Sequence, residues 1–395
     1  MDLRNLPSDL DSSARCNARR EMIEQELGAD LSALTIDPTK LGSAEEKNCE
    51  QMFGHIPLPV GLAGPLKITF SNGEEMMVHL PLATTEGALV ASVNRGCKVL
   101  TLSDGVRTYS ERIGITRSIC FKILDPKNRI PLQKEIRERS TQWVKTGEET
   151  SDHLRITSFD IDEAHEHIFL TLYADTDEAM GMNMITIAAQ KIADWMTHTI
   201  QGLQTITIAG NVDSDKKPSK RTHEKGRGFS VTAEALFPSS VIKDVLNSTP
   251  EQLLQTAHAK LEIGSKIAGA IGANLHAANV IAALYLATGQ DAAHVVEVSL
   301  ADTTVTMDKR GLMISVRLPA ILVGVRGGGT SLPAQKQCLQ LLLGSGTRNQ
   351  EPGTGLHPCQ QLSEIVGAAV LAGEISLLAA QATQTLAKAH KKLAR

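Results

Sequence analysis

Between residues 118 and 208 the sequence changes texture, and that change limits most strongly what the chain can fold into. Strand-like "SICFKIL" gives way to helical "LQKEIRERSTQWV", then strand-like "HIFLTLYA", a long helical tract from Glu178 to about Gln201, and strand-like "TITIAG". A β-α-β-α-β order over about 90 residues predicts a compact α+β unit inserted into a larger domain. At 395 residues the chain has room for two or three domains. The expected division is a helical arm over 1–47, a large domain from 48–117 and 209–395, and the inserted unit over 118–208.

Outside the insertion, "ARCNARREMIEQEL" (14–27) carries helical spacing, and "LKITF" and "MMVHLPLA" flank the turn "SNGEE" as strands. "FSVTAEALF" reads as another strand, and "VTMDKRGLMISVRL" predicts a hairpin turning on Asp308–Gly311. A helix is expected over "TTEGALVASVNRGCKVLTL", with Thr84 or Thr85 near its N-cap and small residues that let another backbone come close. Further helices are expected over 239–247, over 250–288, and from about Cys359 into the basic C-terminus.

Composition excludes several classes. With 42% hydrophobic and 21% charged residues the chain is an ordinary globular one. A net charge of −4 and only 3% aromatics speak against nucleic-acid binding, because phosphate attraction and base stacking both lack material. Six scattered cysteines show no metal-ligand spacing, so reduced thiols and no metal are expected. The opening "MDLRNLPSDLDSSARCN" has no apolar leader, and tracts such as "IVGAAVLAG" fall short of the roughly 20 residues of a membrane helix. The expectation is a soluble, cytoplasmic protein.

Four segments can carry chemistry. In "ATTEGAL", Glu86 at a helix start is ordinarily a favourable dipole contact, but a carboxyl group among small neighbours can also be poised as an acid. In "DEAMGMNMI" the methionines fit a core, while Ala179 and Gly181 bare first-turn N–H groups suited to phosphate. "GVRGGGT" must be a loop, and its glycines permit close approach of a ligand; it is not the GxGxxG of a Rossmann turn. In "GNVDSDKKPSKRTHEKGRGFS" a charge run is ordinarily a solvated face. Lys216 and Lys217, followed by proline and flanked by "AGN" and "GRG", instead suggest a shaped loop. A lysine can hold an oxyanion there if acids such as Asp215, Asp291 or Glu86 balance its charge.

Together these segments closely resemble the 3-hydroxy-3-methylglutaryl-coenzyme A reductase family. The matches are "GHIPLPVGLAGPL", "LATTEGALVASVNRGCKVL", "DEAMGMNMI", "GNVDSDKKP" with "GRG", "GANLHAANV" with "GQDAA", "GVRGGGTSLP" and "LAKAH". They run in the family's order from about residue 48 to His390, and "AMGMNM" and "DKKP" resemble its class I branch, here without the membrane anchor of eukaryotic members. The resemblance implies an α+β fold: a large, mainly helical substrate-binding domain with an inserted small ferredoxin-like dinucleotide-binding domain. It also implies a homodimer or tetramer with the active site between subunits, and reduction of hydroxymethylglutaryl-CoA to mevalonate and coenzyme A with two NADPH. The same fold run oxidatively with NAD is the nearer alternative, and a nucleic-acid protein using the basic loop the more distant one.

The resemblance also assigns roles. Lys216 donates to the substrate carbonyl oxygen, Glu86 hands over a proton, Asp291 tunes both, and His390 protonates the coenzyme A thiolate. Arg117, Asp215 and Lys217 match positions that hold the hydroxymethylglutaryl group. Asn279 matches one that orients the lysine, and Asn94 and Arg95 match coenzyme A contacts. Glu178, Ala179, Met180, Gly181, Met182 and Asn183, with Gly327, Gly328 and Gly329, match the dinucleotide segments.

Three departures stand out. Ala209 replaces a common serine, and Glu178 replaces a common aspartate. Ser151–Asp152 stands where the family has Ser–Arg on the cofactor's 2′-phosphate. An aspartate there repels that phosphate and can accept from a ribose hydroxyl, which makes NADH an alternative cofactor unless Arg155 or Arg326 compensates.

Overall fold

The computed structural model describes residues 6–7, 9–27, 30–344 and 354–385. Apolar residues on alternate positions make a first antiparallel hairpin, β1 (Val60–Thr69) and β2 (Glu75–Ala83), around the expected turn. β3 (Val106–Ile123) is 18 residues long and serves two sheets. From Ile115 onward it is joined by β4 (Arg155–Ala164), β5 (His167–Asp175) and β6 (Leu203–Thr207), in the order β4-β5-β3-β6, all antiparallel. Its first half pairs with β1 and with β7 (Gly228–Phe237). β7 leads on to the hairpin β8 (Asp302–Asp308) and β9 (Gly311–Ile321), giving the order β2-β1-β3-β7-β9-β8.

Helices cover both sheets. In chain order the principal ones are α1 (Ser12–Leu27), α2 (Leu89–Leu102), α3 (Arg129–Glu138), α4 (Ser140–Glu148), α5 (Met182–Thr199), α6 (Lys220–Lys225), α7 (Ala277–Thr288), α8 (Pro333–Leu343) and α9 (Pro358–Ala382). The second sheet follows β3-α3-α4-β4-β5-α5-β6, so it holds one strand and one helix break more than the sequence suggests. β4 escapes a sequence reading because it is a polar edge strand whose residues are all at least partly exposed. Trp143, Phe121, Ile185, Ile192 and Leu170 fill the core between this sheet and its helices. The α+β expectation holds, with α2, α7 and α9 packed on the six-stranded sheet.

Three helix boundaries differ from expectation, each for a local reason. α2 is capped by Ala88 in the left-handed region, not by Thr84 or Thr85; the Thr84 hydroxyl instead accepts from the Glu86 N–H at 3.0 Å. α5 begins only at Met182, because Gly181 (φ 97°) turns the chain into it. The tract over 250–288 breaks after Ala268, where Gly269 is left-handed, and resumes at Ala277.

α9 departs most from the composition argument. At 25 residues with a hydropathy of 1.7 it is long and apolar enough to cross a membrane, yet 83% of its apolar window is buried inside the molecule. It lies on β7, β3 and β9 and against α2. Its two acids are satisfied by design of the surroundings: Glu364 accepts from Ser71, Thr108 and Ser110, and Glu374 from the N–H groups of Leu275 and His276 and the Thr303 hydroxyl. All six cysteines are free, and burial pushes the thiols of Cys97 and Cys359 up to about 12.

The small residues of α2 serve the close approach expected of them. A Cβ on Gly96 would stand 1.8 Å from the carbonyl oxygen of Ala372 in α9. Gly96→Ala is therefore expected to destabilise the protein by about 1–3 kcal/mol in urea denaturation, overriding the ~1 kcal/mol that alanine gains in a helix interior. A variant as stable as wild type contradicts this packing.

Candidate active site

The loop between β6 and α6 is bent by three non-glycine residues in the left-handed region, Asn211 (φ 69°), Ser214 (φ 53°) and Lys216 (φ 58°). Such conformations persist only where the surroundings hold them. Here the Gly210 N–H donates to Ser118 O at 2.6 Å, and the Lys216 N–H donates to the Glu297 carboxylate. The bend presents the Lys216 ammonium to Asp291, 2.8 Å away, with both side chains open to solvent on one side.

Asp291 is fixed from behind by the N–H of Ala293. That hydrogen bond with Asp291 holds Lys216 above its ordinary range, against the opposing effect of burial. Burial pushes Asp291 up, but Lys216, the Ala293 N–H and the charge of His294 outweigh it and leave the carboxyl below its ordinary range.

Beneath the loop lies Arg227, 1% exposed. One guanidinium nitrogen stands 2.9 Å from both Asp215 and Glu297, another donates to the Thr116 carbonyl (3.3 Å) and the Met182 sulfur (3.0 Å), and Nε donates to the Thr116 hydroxyl at 2.8 Å. The flanking Gly228 is required for this: a Cβ there would lie 2.3 Å from Ile321 O. Arg227 overrides burial to hold Asp215 below its ordinary range. Buried Asp213 is pushed up by desolvation, although Arg227 and Arg117 act against it. Asp215, His294 and Glu297 bring metal-ligand atoms within 4.8 Å of one another. The guanidinium between the two acids already supplies the cation.

The predicted residues fall into three groups. Around Lys216, Lys217 donates to Asp215 O at 2.9 Å, while Arg117 donates to Thr186 (2.8 Å) and pairs with Asp213 (3.4 Å). At the far end of α7, Asn279 donates to Glu86 at 3.4 Å rather than to the lysine. From Asn279 to Thr288 the helix spans about 13 Å at ~1.5 Å per residue, and no hydrogen bond or ion pair among the described residues joins Glu86–Asn279 to Lys216–Asp291. On α2, Asn94 accepts from Gly64 N, and half-buried Arg95 is spent on Ser376, so its guanidinium is partly committed within the chain.

The third group is the dinucleotide set. Glu178 O accepts from Val325 N (2.9 Å) and Arg326 N (3.2 Å), and the Glu178 carboxylate pairs with Arg326 at 2.8 Å. Glu178 and the glycine loop thus line one wall of a cleft of about 460 Å³, together with Thr330 and Lys336. Ala179 and Met180 lead to Gly181, which caps α5 with no side chain on its first-turn N–H groups; Met182 is buried and Asn183 exposed. Gly328 and Gly329 lie in the short turn that follows Gly327. Asp177 accepts from or shares a proton with His153 (2.9 Å) and His357 (3.1 Å), which ties Ser151 and Asp152 to this wall. Asp152 is exposed, and its carboxylate has no hydrogen bond or ion pair among the described residues. His390 lies outside the described residues.

The basic half of the lysine loop lies at the surface, with Lys220, Glu224 and Lys225 exposed, but it is tied down by ion pairs. Ser219 caps α6, whose Arg221 reaches Asp160 (2.8 Å) and Asp162 (3.0 Å), while Lys225 reaches Asp160 at 2.6 Å. Sequence reasoning passed over Arg227, His294 and Glu297. The available signal was an arginine between two glycines, and an acid one turn beyond a histidine in "GQDAAHVVE".

Because Asp291 titrates below its ordinary 3.8 and Lys216 above its ordinary 10.5, their pair contributes stability in the window between. The contribution is lost as pH falls through the lowered carboxyl and as pH rises through the raised ammonium. Asp291→Asn is expected to lower the urea midpoint near neutrality, with the gap to wild type closing at both extremes. A gap independent of pH contradicts the pair.

Comparison with known proteins places the chain in a family. The family model described as hydroxymethylglutaryl-coenzyme A reductase matches residues 15–395. A 3-hydroxy-3-methylglutaryl-coenzyme A reductase of Methanocaldococcus jannaschii is 38% identical over 386 residues, covering 95% of this chain and 92% of its own. That of Haloferax volcanii is 36% identical over 398 residues, covering 100% and 96%. In fold, the chain superposes on the class II enzyme of Streptococcus pneumoniae bound to NADPH, with a TM-score of 0.69 at 17% identity over 92% of this chain and 96% of that one. The chain belongs to the hydroxymethylglutaryl-coenzyme A reductase family.

Proposed function

We propose that this chain reduces 3-hydroxy-3-methylglutaryl-coenzyme A to mevalonate and coenzyme A in the mevalonate pathway of isoprenoid formation, and that it works in the cytoplasm. The carrying observation is the Lys216–Asp291 pair, an accessible ammonium held by a carboxylate at the end of a bent loop. A four-electron reduction of a thioester passes through oxyanions, and a fixed ammonium stabilises each one as it forms. The dinucleotide, when bound, supplies a hydride for each two-electron step. Its phosphates fit the uncapped start of α5 and the open glycine loop, where a Cβ on Gly327 or Gly328 would meet nothing within 4 Å.

Lys216 donates to the carbonyl oxygen, Glu86 delivers a proton to the oxygen of the aldehyde step, and Asp291 sets the lysine's hold on its own proton. Arg117, Lys217 and Asp215 bind the hydroxymethylglutaryl group, and Asn94 and Arg95 take the coenzyme A. Asn279 steadies Glu86 within one chain. A homodimer, or a tetramer of dimers, completes the site by setting Glu86 and Asn279 of one copy against Lys216 of the other; the length of α7 between the two pairs supports this.

Cofactor choice turns on Asp152. NADPH is what the pneumococcal neighbour binds. In this chain the exposed Asp152 carboxylate, without an ion pair among the described residues, is next to His153, which contacts Asp177 beside Glu178, and Arg326 pairs with Glu178. Any preference for NADPH is therefore weak, and NADH is accepted.

Purified protein mixed with hydroxymethylglutaryl-CoA and a reduced nicotinamide is expected to oxidise the nicotinamide only when the acyl-CoA is present. Lys216→Ala should lose at least about a hundredfold in kcat. Absence of substrate-dependent oxidation overturns the function; full activity in Lys216→Ala overturns only the mechanism. With both cofactors compared, kcat/KM should favour NADPH by less than about 100-fold, or 2.7 kcal/mol, and a larger ratio overturns the role of Asp152.

A further inference from the structure

His294 is wholly buried, and its Nε2 makes no hydrogen bond among the described residues. Its Nδ1 lies 3.3 Å from Glu297 Oε1 and its Nε2 3.6 Å from Asp291 Oδ2. A neutral imidazole carries one N–H and one lone pair. Either neutral tautomer would aim its lone pair at a carboxylate oxygen, one at Asp291 and the other at Glu297. With both nitrogens protonated, each faces an acceptor.

Charge balance points the same way. Asp215 and Glu297 flank Arg227, and Asp291 holds Lys216, so three acids meet two cations. Nearby Asp213 and Arg117 balance each other. From α7 the facing ionisable group is Tyr285, whose hydroxyl donates to Leu322 O at 2.8 Å and brings no charge. The sixth member, His294, is wholly buried between Asp291 and Glu297, where a cation offsets the acid that Arg227 and Lys216 leave unmatched; exposed Lys217 is turned to the Asp215 carbonyl.

We propose that His294 is a positioning residue for the reductase reaction: an imidazolium that bridges Asp291 and Glu297, the two acids gripping Lys216. Glu297 holds the lysine's backbone and Asp291 its ammonium, so one ring aligns both grips. A second cation on Asp291 also weakens that carboxylate's claim on the Lys216 proton, which makes the ammonium a better donor toward an oxyanion. This inference rests on the function proposed above, but its protonation state can be read without substrate.

The first measurement is nitrogen-15 NMR of histidine-labelled wild-type protein at neutral pH. The expected result is a ring with both nitrogens protonated that vanishes in His294→Gln. Should that variant fail to fold, the resonance is assigned by its displacement in Asp291→Asn. The second is the pH profile of kcat with hydroxymethylglutaryl-CoA. His294→Gln is expected to lose about tenfold in kcat with KM within about twofold. The wild-type advantage should shrink as alkali removes the second proton. His294→Ala should lose more than His294→Gln, since the amide restores one hydrogen bond. A neutral ring in the wild type, or a His294→Gln profile that superimposes on it, overturns the proposal. If the wild type reduces no hydroxymethylglutaryl-CoA, the function fails while the NMR result still decides the charge of His294.

Discussion

The Arg227 guanidinium is the contact on which the site depends. It reaches the second half of β3 through Thr116, the start of α5 through Met182, the lysine loop through Asp215, and the segment after Asp291 through Glu297. Taking such a cation out of water costs several kcal/mol unless its donors are met, and here two carboxylates and a carbonyl meet them. Removing the guanidinium would leave Glu297 as a buried carboxylate without its cation, at a cost of about 3–5 kcal/mol. That stake keeps three left-handed residues of the lysine loop in place, so the bend at Lys216 is stabilised by ion pairing rather than by local preference.

β3 transmits this rigidity to the cofactor side. A single strand that pairs with β7 in one half and with β5 in the other makes the two sheets continuous through Gly114, whose Cβ would collide with Ala174 O at 2.8 Å. The dinucleotide wall hangs from β5 and α5, and the lysine loop from β6 and β7, both of which pair with β3. The proposed cofactor side and the lysine loop are therefore anchored to one backbone. α6 adds a side-chain link, since Arg221 and Lys225 pull β4 toward the lysine loop.

How much of this was legible in the sequence follows from what each feature is made of. β1, β2, β7 and the β8–β9 hairpin carry alternating apolar residues and declared themselves. β4 did not, because its apolar alternation is short: Phe159 and Ile161 alternate with Asp160 and Asp162, and an irregularity between Ile156 and Ser158 breaks the period before them. The start of α5 was misplaced because Gly181 looks like a helix residue until its φ of 97° is known. Lys216 and Asp291 were legible as charged residues in small-residue loops, and the structure brings them to 2.8 Å. Arg227 and Glu297 were not, since their roles arise from contacts across 70 to 81 residues that only folding creates; His294 touches acids three residues to either side, and those acids acquire their partners only in the fold.

The placement of the remaining groups has its own logic. A helix favours negative charge at its start and positive charge at its end. α7 has Glu86 beside Asn279 in its first turn, and the Lys216 ammonium held by Asp291 just past its last turn. Within one chain this keeps the two groups apart, each in the field that suits it. A two-fold arrangement applies one contact twice in opposite senses, so if it sets the start of one copy's helix toward the end of the other's, it sets both. Under the proposed two-fold assembly, that separation within one chain would yield two complete sites per dimer. On this view the loops carrying Lys216 and Glu86 need not be mobile to complete the site; each needs only to be rigid in its own copy, which is what Arg227 and its two acids provide for the lysine.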